Sequence, residues 1–579
     1  MAWLRPIPKA PGRRRAASRL GLCLLLSSTL AASACRCGVD EGEVGEADGA
    51  PAAEAEADDG AAADEAGGRS EGEVETTPRS LTIEHASELE GVDLSKVERL
   101  DLALSERDIH VRSGASQGDS SGEDSGSGED SEGTGVEVAR PSHPRCEGLD
   151  LHALAEATPR LTALRISGCQ GAVHAGLSAF GARLRELELV DIELDAVTVA
   201  RLSQLHGLDT LILTRVRAEA EALNPLARKI SPSTVTLREL DKDSAVVELV
   251  TLLRDLHHLR LEGAWVGHNT MLRVAKAKSL QSLAVIDTAL TNYSLHPLKG
   301  LDHLHRIEWS GQGWSNTSPQ YLRDLPIDEL ICDCPRFGDR GLFMLRYLEG
   351  LQVLELERSA VTSAGLVHLA ENPALEDLTL RGCDLDSEGF TALAALPRLR
   401  RLIVGPASLL DGKAEGLGLL VSLRELELGL DGFGDRAAQE LAPLVNLERL
   451  DLGNTAVSDE GLEHLAGMVR LRELELHHTR VTRHGLEHLQ GLSALEILEL
   501  DHTDVVDEGV AHLAKLGALR ELRLDNTLIT DVGVAHLAKL SDLERLNLAN
   551  TVVTSEGVEV LSALPRLEVV NLAGTRARD

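Results

Sequence analysis

Aromatic residues are scarce: five Phe, four Trp and three Tyr make up 2% of 579 residues. A core with so few rings must be aliphatic, and the surface offers little platform for stacking nucleic-acid bases. Positive charge is also short. Lys and Arg number 58 against 93 Asp and Glu, giving a formal net charge of −35. That balance argues against a phosphate-gathering surface, so no nucleic-acid partner is expected. Enzyme fingerprints are missing too. There is no H-E-x-x-H, no G-x-x-x-x-G-K-[ST] and no dinucleotide-binding glycine pattern after a strand. No catalytic residue, cofactor or metal is expected, and the chain reads as no enzyme.

What is abundant is leucine at a fixed interval. Near-identical lines begin at Leu447, Leu471, Leu495, Leu519, Leu543 and Leu567, each 24 residues after the last. Each opens L-x-x-[LV]-x-L. A threonine follows at a constant offset (Thr455, Thr479, Thr503, Thr527, Thr551, Thr575), then a β-branched residue such as Val481, then a glycine such as Gly485. Within one line, Leu474 and Leu476 alternate with Glu473, Glu475 and His477, the period of a strand with one buried face. Gly485-Leu486-Glu-His-Leu489 has helical spacing, and Thr482 is placed to cap that turn. Strand, helix and parallel strand make a right-handed coil. One coil cannot bury its own leucines, so neighbours must stack.

These lines resemble the leucine-rich repeat family, with threonine where L-x-x-L-x-L-x-x-[NC]-x-L usually has asparagine or cysteine. They are most similar to the bacterial 24-residue variant T-x-[VL]-[TS]-D-x-G-L-x-x-L, related to the cysteine-containing repeats of F-box proteins. The resemblance implies an α/β solenoid, a horseshoe with a concave parallel β-sheet and convex short helices, and it implies protein binding without a reaction.

The rest of the chain falls into place around that period. Residues 1–34 read as a signal peptide: a basic stretch, an apolar run from Leu20 to Leu30 too short to span a bilayer, and Ala32-Ser33-Ala34 before Cys35. Ala32-Ser33-Ala34-Cys35 also resembles a bacterial lipobox, which makes Cys35 the expected lipidation site and the lipid the only membrane contact. Residues 35–79 form an acidic tether with too little apolar surface to order itself. The solenoid is expected over 80–579, interrupted by a disordered Ser/Gly/acidic insert at about 113–140. Counting from Val97 gives roughly nineteen lines. Those around 224–243 and 307–326 are irregular and carry prolines, Trp309 and Trp314. The final line has a strand and no helix, leaving an edge open to self-association.

Several side-chain groups invite a chemical reading. Cys169 and Cys383 occupy the threonine position of their lines, where small buried thiols are ordinary. Cys146 lies about one coil before Cys169, so a disulfide is one option. Cys332-Asp333-Cys334 lacks enough further ligands for a metal site. His368, His464, His488, His512 and His536 share one offset and read as repeat consensus on the convex helices.

Positions three, five and seven of each line point out of the concave sheet. In the late lines they carry Glu425, Glu427, Asp451, Glu473, Glu475, His477, Glu499, Asp501, Glu521 and Asp525. Stacked like charges such as Glu475 and Glu499 cost roughly 1 kcal/mol per pair even in water. Arg449, Arg523 and Arg545 offset part of this at the edges. The strip is open to three readings: a solvated charged face, a surface for a basic partner, or a metal site using His477, His502 and Asp501. The expectation is a non-catalytic scaffold on a bacterial cell envelope, or a secreted one, that binds a protein partner on its concave face. A substrate adaptor of ubiquitin-ligase type and a secreted effector are the alternatives.

Overall fold

In most lines the strand lasts only three to five residues, and the longest are Glu425–Asp431 and Arg401–Ser408. The computed structural model describes residues 80–82, 97, 99–102 and 151–577; the expected signal peptide, Cys35, tether and insert lie outside them. Twenty strands form one sheet, and every strand runs parallel to the strand of the next coil. The register aligns leucine with leucine: Leu450, Leu474, Leu498, Leu522 and Leu546 are successive partners. All five are completely buried. Helices or 3-10 turns, such as Asp507–Leu513, Asp531–Leu537 and Gly485–Gly491, return the chain between strands. This is an α/β leucine-rich-repeat solenoid. The strand missed in the sequence is Ser80–Thr82, which pairs with Arg99–Leu102 across a coil of only 19 residues (Ser80↔Arg99). Among the described residues no helix is long and apolar enough to cross a membrane.

Two polar ladders lock the coils. The first is internal. The repeat threonines Thr455, Thr479, Thr503, Thr527 and Thr551 are buried, and each hydroxyl donates to the carbonyl three residues earlier, at 2.5–2.7 Å. A buried hydroxyl thereby finds its partner without leaving the coil.

The second ladder joins neighbouring coils. Asp459 accepts from the backbone N–H of Thr482 at 2.7 Å and from its hydroxyl at 2.5 Å. Asp435 does the same for Ser458, Asp507 for Thr530 and Asp531 for Thr554. Thr482 is therefore held chiefly by the preceding coil, and its bond to the His484 N–H, at 3.4 Å, is the weaker one. Thr530 and Thr554 also accept from the second residue of their helices, as caps do. The repeat glycine belongs to this clasp. A Cβ on Gly533 would lie 2.4 Å from Asp507 Oδ1, and one on Gly557 equally close to Asp531 Oδ1.

The irregular lines are strands after all: Thr234–Arg238 and Arg306–Ser310 both sit in register. Leu304 to Ile327 spans one residue fewer than the usual period. There Trp309 takes a strand leucine position and Trp314 the β-branched position. Both are buried, with ring centroids 5.5 Å apart. The strand partner of Trp309 is the small Cys332, so bulk on one coil is matched by a small side chain on the next. Cys332 and Cys334 form a buried disulfide. Cys169 is disulfide-bonded, and the Cys146 partnership lies outside the described residues. Cys383 is a buried free thiol, pushed up by its burial. In the last strand, Val569–Asn571, Val570 is 36% exposed where its counterpart Leu546 is fully covered.

Leu500→Ala should destabilise the protein by about 2–5 kcal/mol, because the cavity opens between two coils that cannot collapse independently. Asp507→Ala should cost about 1–3 kcal/mol by stranding two donors of Thr530. Urea unfolding measures both, and hydrogen exchange at the Thr530 amide should accelerate in the aspartate variant. An unchanged Thr530 amide would show that the clasp does not hold the coils together.

Candidate functional site

The stacking that aligns leucines inside the sheet also aligns the outward side chains. Glu427, Asp451, Glu475 and Glu499 are direct partners on four consecutive strands, and Arg523 comes next. Adjacent strands lie about 4.8 Å apart, so four carboxylates share one column. The neighbouring column mixes both signs instead, with one apolar member: Glu425, Arg449, Glu473, Ile497, Glu521, Arg545.

The arginines stand inside the strip. Arg449 reaches Glu475 at 2.6 Å and Glu473 at 3.6 Å. Arg523 reaches Glu499 at 3.1 Å. Arg401 pairs with Glu425 at 3.2 Å, Arg381 with Glu427 at 3.7 Å, and Arg545 with Glu521. Asp451 accepts from the Gly453 N–H at 2.8 Å. No lysine or arginine ion pair to Asp451 occurs among the described residues.

Packing under these arginines dries the carboxylates. The Glu475 side chain is only 13% exposed. Burial pushes its carboxyl up to about 8; Asp451, Glu499 and Glu473 add to the rise, and Arg449 opposes it. Burial likewise raises Glu473 and Glu499 against the pull of Arg449 and Arg523.

Position seven does not face outward in two of these lines. Asp501 and Asp525 are buried. The strands Ile497–Glu499 and Glu521–Arg523 end before them, so alternation no longer sets their direction. Each sits at the start of a turn whose next residue is left-handed, His502 at φ 55° and Asn526 at φ 56°. Asp525 accepts from Asn526 at 3.0 Å and from Asn547. His477 leans back over Gly453, with Nε2 4.0 Å from Glu475.

Two groups of potential metal ligands occur among the described residues: Asp451, Glu475 and His477, and separately His478, Asp501 and His502. The trio His477, His502 and Asp501 considered from the sequence is not brought together; His478 replaces His477 in it. Strand alternation could not reveal this, because His478 lies on the turn. Its signal was the shared offset of Asn454, His478, His502, Asn526 and Asn550. The five repeat histidines on the helices join neither group.

Residues 444–466 match the family described as Leucine Rich repeat. No curated protein matches the chain. Several solved structures are similar to it. An internalin (inlF) of Listeria monocytogenes is 16% identical over 65% of this chain and 89% of its own, with a TM-score of 0.34. A leucine-rich-repeat protein of Leptospira interrogans is 18% identical over 65% and 87%, with a TM-score of 0.38. TLR13, solved in complex with ssRNA13, is 18% identical over 72% and 61%, with a TM-score of 0.43.

The raised Glu475 carboxyl sets a pH dependence. An unfolded glutamate titrates near about 4.3, whereas the folded one holds its proton up to about 8. The folded state binds the extra proton between those values, so this contribution to stability is full below the lower value and is lost as pH rises through the higher one. Glu475→Gln should therefore lose less stability than the parent between pH 5 and 9. Urea midpoints across that range test it, and parallel curves would contradict it.

Proposed function

We propose that this chain is a non-catalytic scaffold, anchored to a bacterial cell envelope by a lipid on Cys35, that binds a protein partner bearing basic side chains on the outward face of its sheet. The observation that carries the partner's chemistry is the column Glu427, Asp451, Glu475 and Glu499 on four consecutive strands. Arg449 from the neighbouring column and Arg523 at the column's end neutralise its second half, and Asp451 has no such pair among the described residues. Cations from a partner would complete what these arginines begin, in a site already partly freed of water. The anchor rests on Ala32-Ser33-Ala34-Cys35, which an acidic stretch follows to residue 79.

A lysine-rich peptide should bind the full chain with an affinity that falls as salt rises, since exposed charges beyond about 8–10 Å are screened at physiological ionic strength. Glu427→Gln with Asp451→Asn should weaken that binding. Glu460→Gln with Glu487→Gln, an equal charge change on the helical side, should not. Equal loss in both pairs would assign the binding to net charge and remove the column from consideration. For the anchor, labelled fatty acid should enter the parent in a bacterial host and not Cys35→Ser; equal labelling would refute it.

A further inference from the structure

We propose that His478, Asp501 and His502 bind one divalent transition-metal ion of the zinc class. The three side chains come from two adjacent coils, and their ligand atoms lie within 4.8 Å of one another. The two imidazoles stack with centroids 4.1 Å apart. Asp501 is only 7% exposed. Its Oδ2 lies 3.2 Å from His502 Nδ1, and its buried Oδ1 has no hydrogen bond. The nearest guanidinium contact to that oxygen, from Arg523 Nε, is 3.9 Å long. A buried carboxylate oxygen without a hydrogen bond is costly unless something cationic meets it.

The repeat itself shows that the histidines are not needed for the turn. The same left-handed position holds Asn454, Asn526 and Asn550 in the flanking coils, at φ 56–60°. Asparagine is the residue that tolerates this backbone most readily. Next door, Asn526 donates to Asp525 at 3.0 Å, which closes that carboxylate without an imidazole. Only in two adjacent coils of this late series does histidine take the place. Both rings are exposed, so they can rotate to set their nitrogens and the carboxylate, now within 4.8 Å of one another, around one ion at zinc–ligand bonds of about 2.0–2.2 Å. Two nitrogens and one carboxylate suit zinc, nickel or copper and leave a coordination position open. Calcium and magnesium, which require several oxygens, fit poorly. His477 belongs to the other group: its ring lies over Gly453 and beside Glu475.

The test is calorimetric titration of the full chain, without a histidine tag, with zinc chloride. Asparagine is the replacement of choice because the repeat already uses it at this turn. His478→Asn and His502→Asn should each weaken the tightest zinc site roughly tenfold or more, at least the scale that loss of an outer-shell partner costs. Circular dichroism should be unchanged. Asp501→Asn should weaken the same site, His477→Ala should leave it intact, and calcium should not displace the zinc. Unaltered zinc affinity in both asparagine variants would overturn the assignment. So would loss of the site in His477→Ala alone, or displacement by calcium, each of which would move the ion to the acidic column.

Discussion

No coil of this protein can bury its own leucines, and the rest of the structure depends on that constraint. A strand of three to five residues has one apolar face and too few side chains to cover it. The cover comes from the neighbouring coil, which must place a leucine at the same depth. The period is therefore held at 24 residues through the late lines, because a slip of one residue would turn every strand leucine outward. Where a line is shorter, as between Leu304 and Ile327, the space is refilled by Trp309 and Trp314 against Cys332. The same constraint produces the candidate site. Once leucines are stacked in register, the outward residues are stacked as well. Glu427, Asp451, Glu475 and Glu499 have no freedom to stagger. Their repulsion is carried as a displaced protonation equilibrium, by Arg449 reaching in from the next column and by Arg523 at the column's end.

Sequence patterning made the solenoid legible because its two signals are independent. Alternation marks each strand, and the constant offset marks the coil. Either alone would have been weaker. The Ser80–Thr82 strand escaped because its coil keeps the alternation but breaks the offset. The acidic column was also legible, since Glu475 and Glu499 lie on strands. Asp501 and Asp525 were not, because the strands stop two residues earlier and a left-handed turn then decides where the side chains go. His478 was hidden for the same reason. The arginine pairs were misplaced to the edges of the strip because alternation gives the face of a residue and not the reach of its side chain. A guanidinium on a long stem crosses to the next column, as Arg449 does to Glu475.

The clasp between coils fails at one informative place. Coils that carry Asp435, Asp459, Asp507 and Asp531 hold a serine or threonine of the next coil. The coil that begins at Leu471 has Arg483 at that position, and the coil after it has Val506 where the threonine would stand. The aspartate and the hydroxyl are missing together, so no side-chain partner of the clasp is left behind, and the junction gives up both of its hydrogen bonds. This junction is the one that brings Glu475 against Glu499 and His478 against His502. Two coils that press carboxyl against carboxyl on the sheet side therefore lack the polar tie on the helical side. Local opening follows the contacts that oppose it. At this junction the opposing contacts are the leucine stack and the arginine pairs, with no clasp to add to them. The leucine stack is uniform along the late lines, so it cannot distinguish this junction from its neighbours. What distinguishes it is the carboxyl pair on the outward face and the two stacked histidines at the turn beyond it, where a cation of the proposed kinds would act. A basic side chain or a metal ion there would replace, from outside, the cohesion that Arg483 and Val506 remove from within.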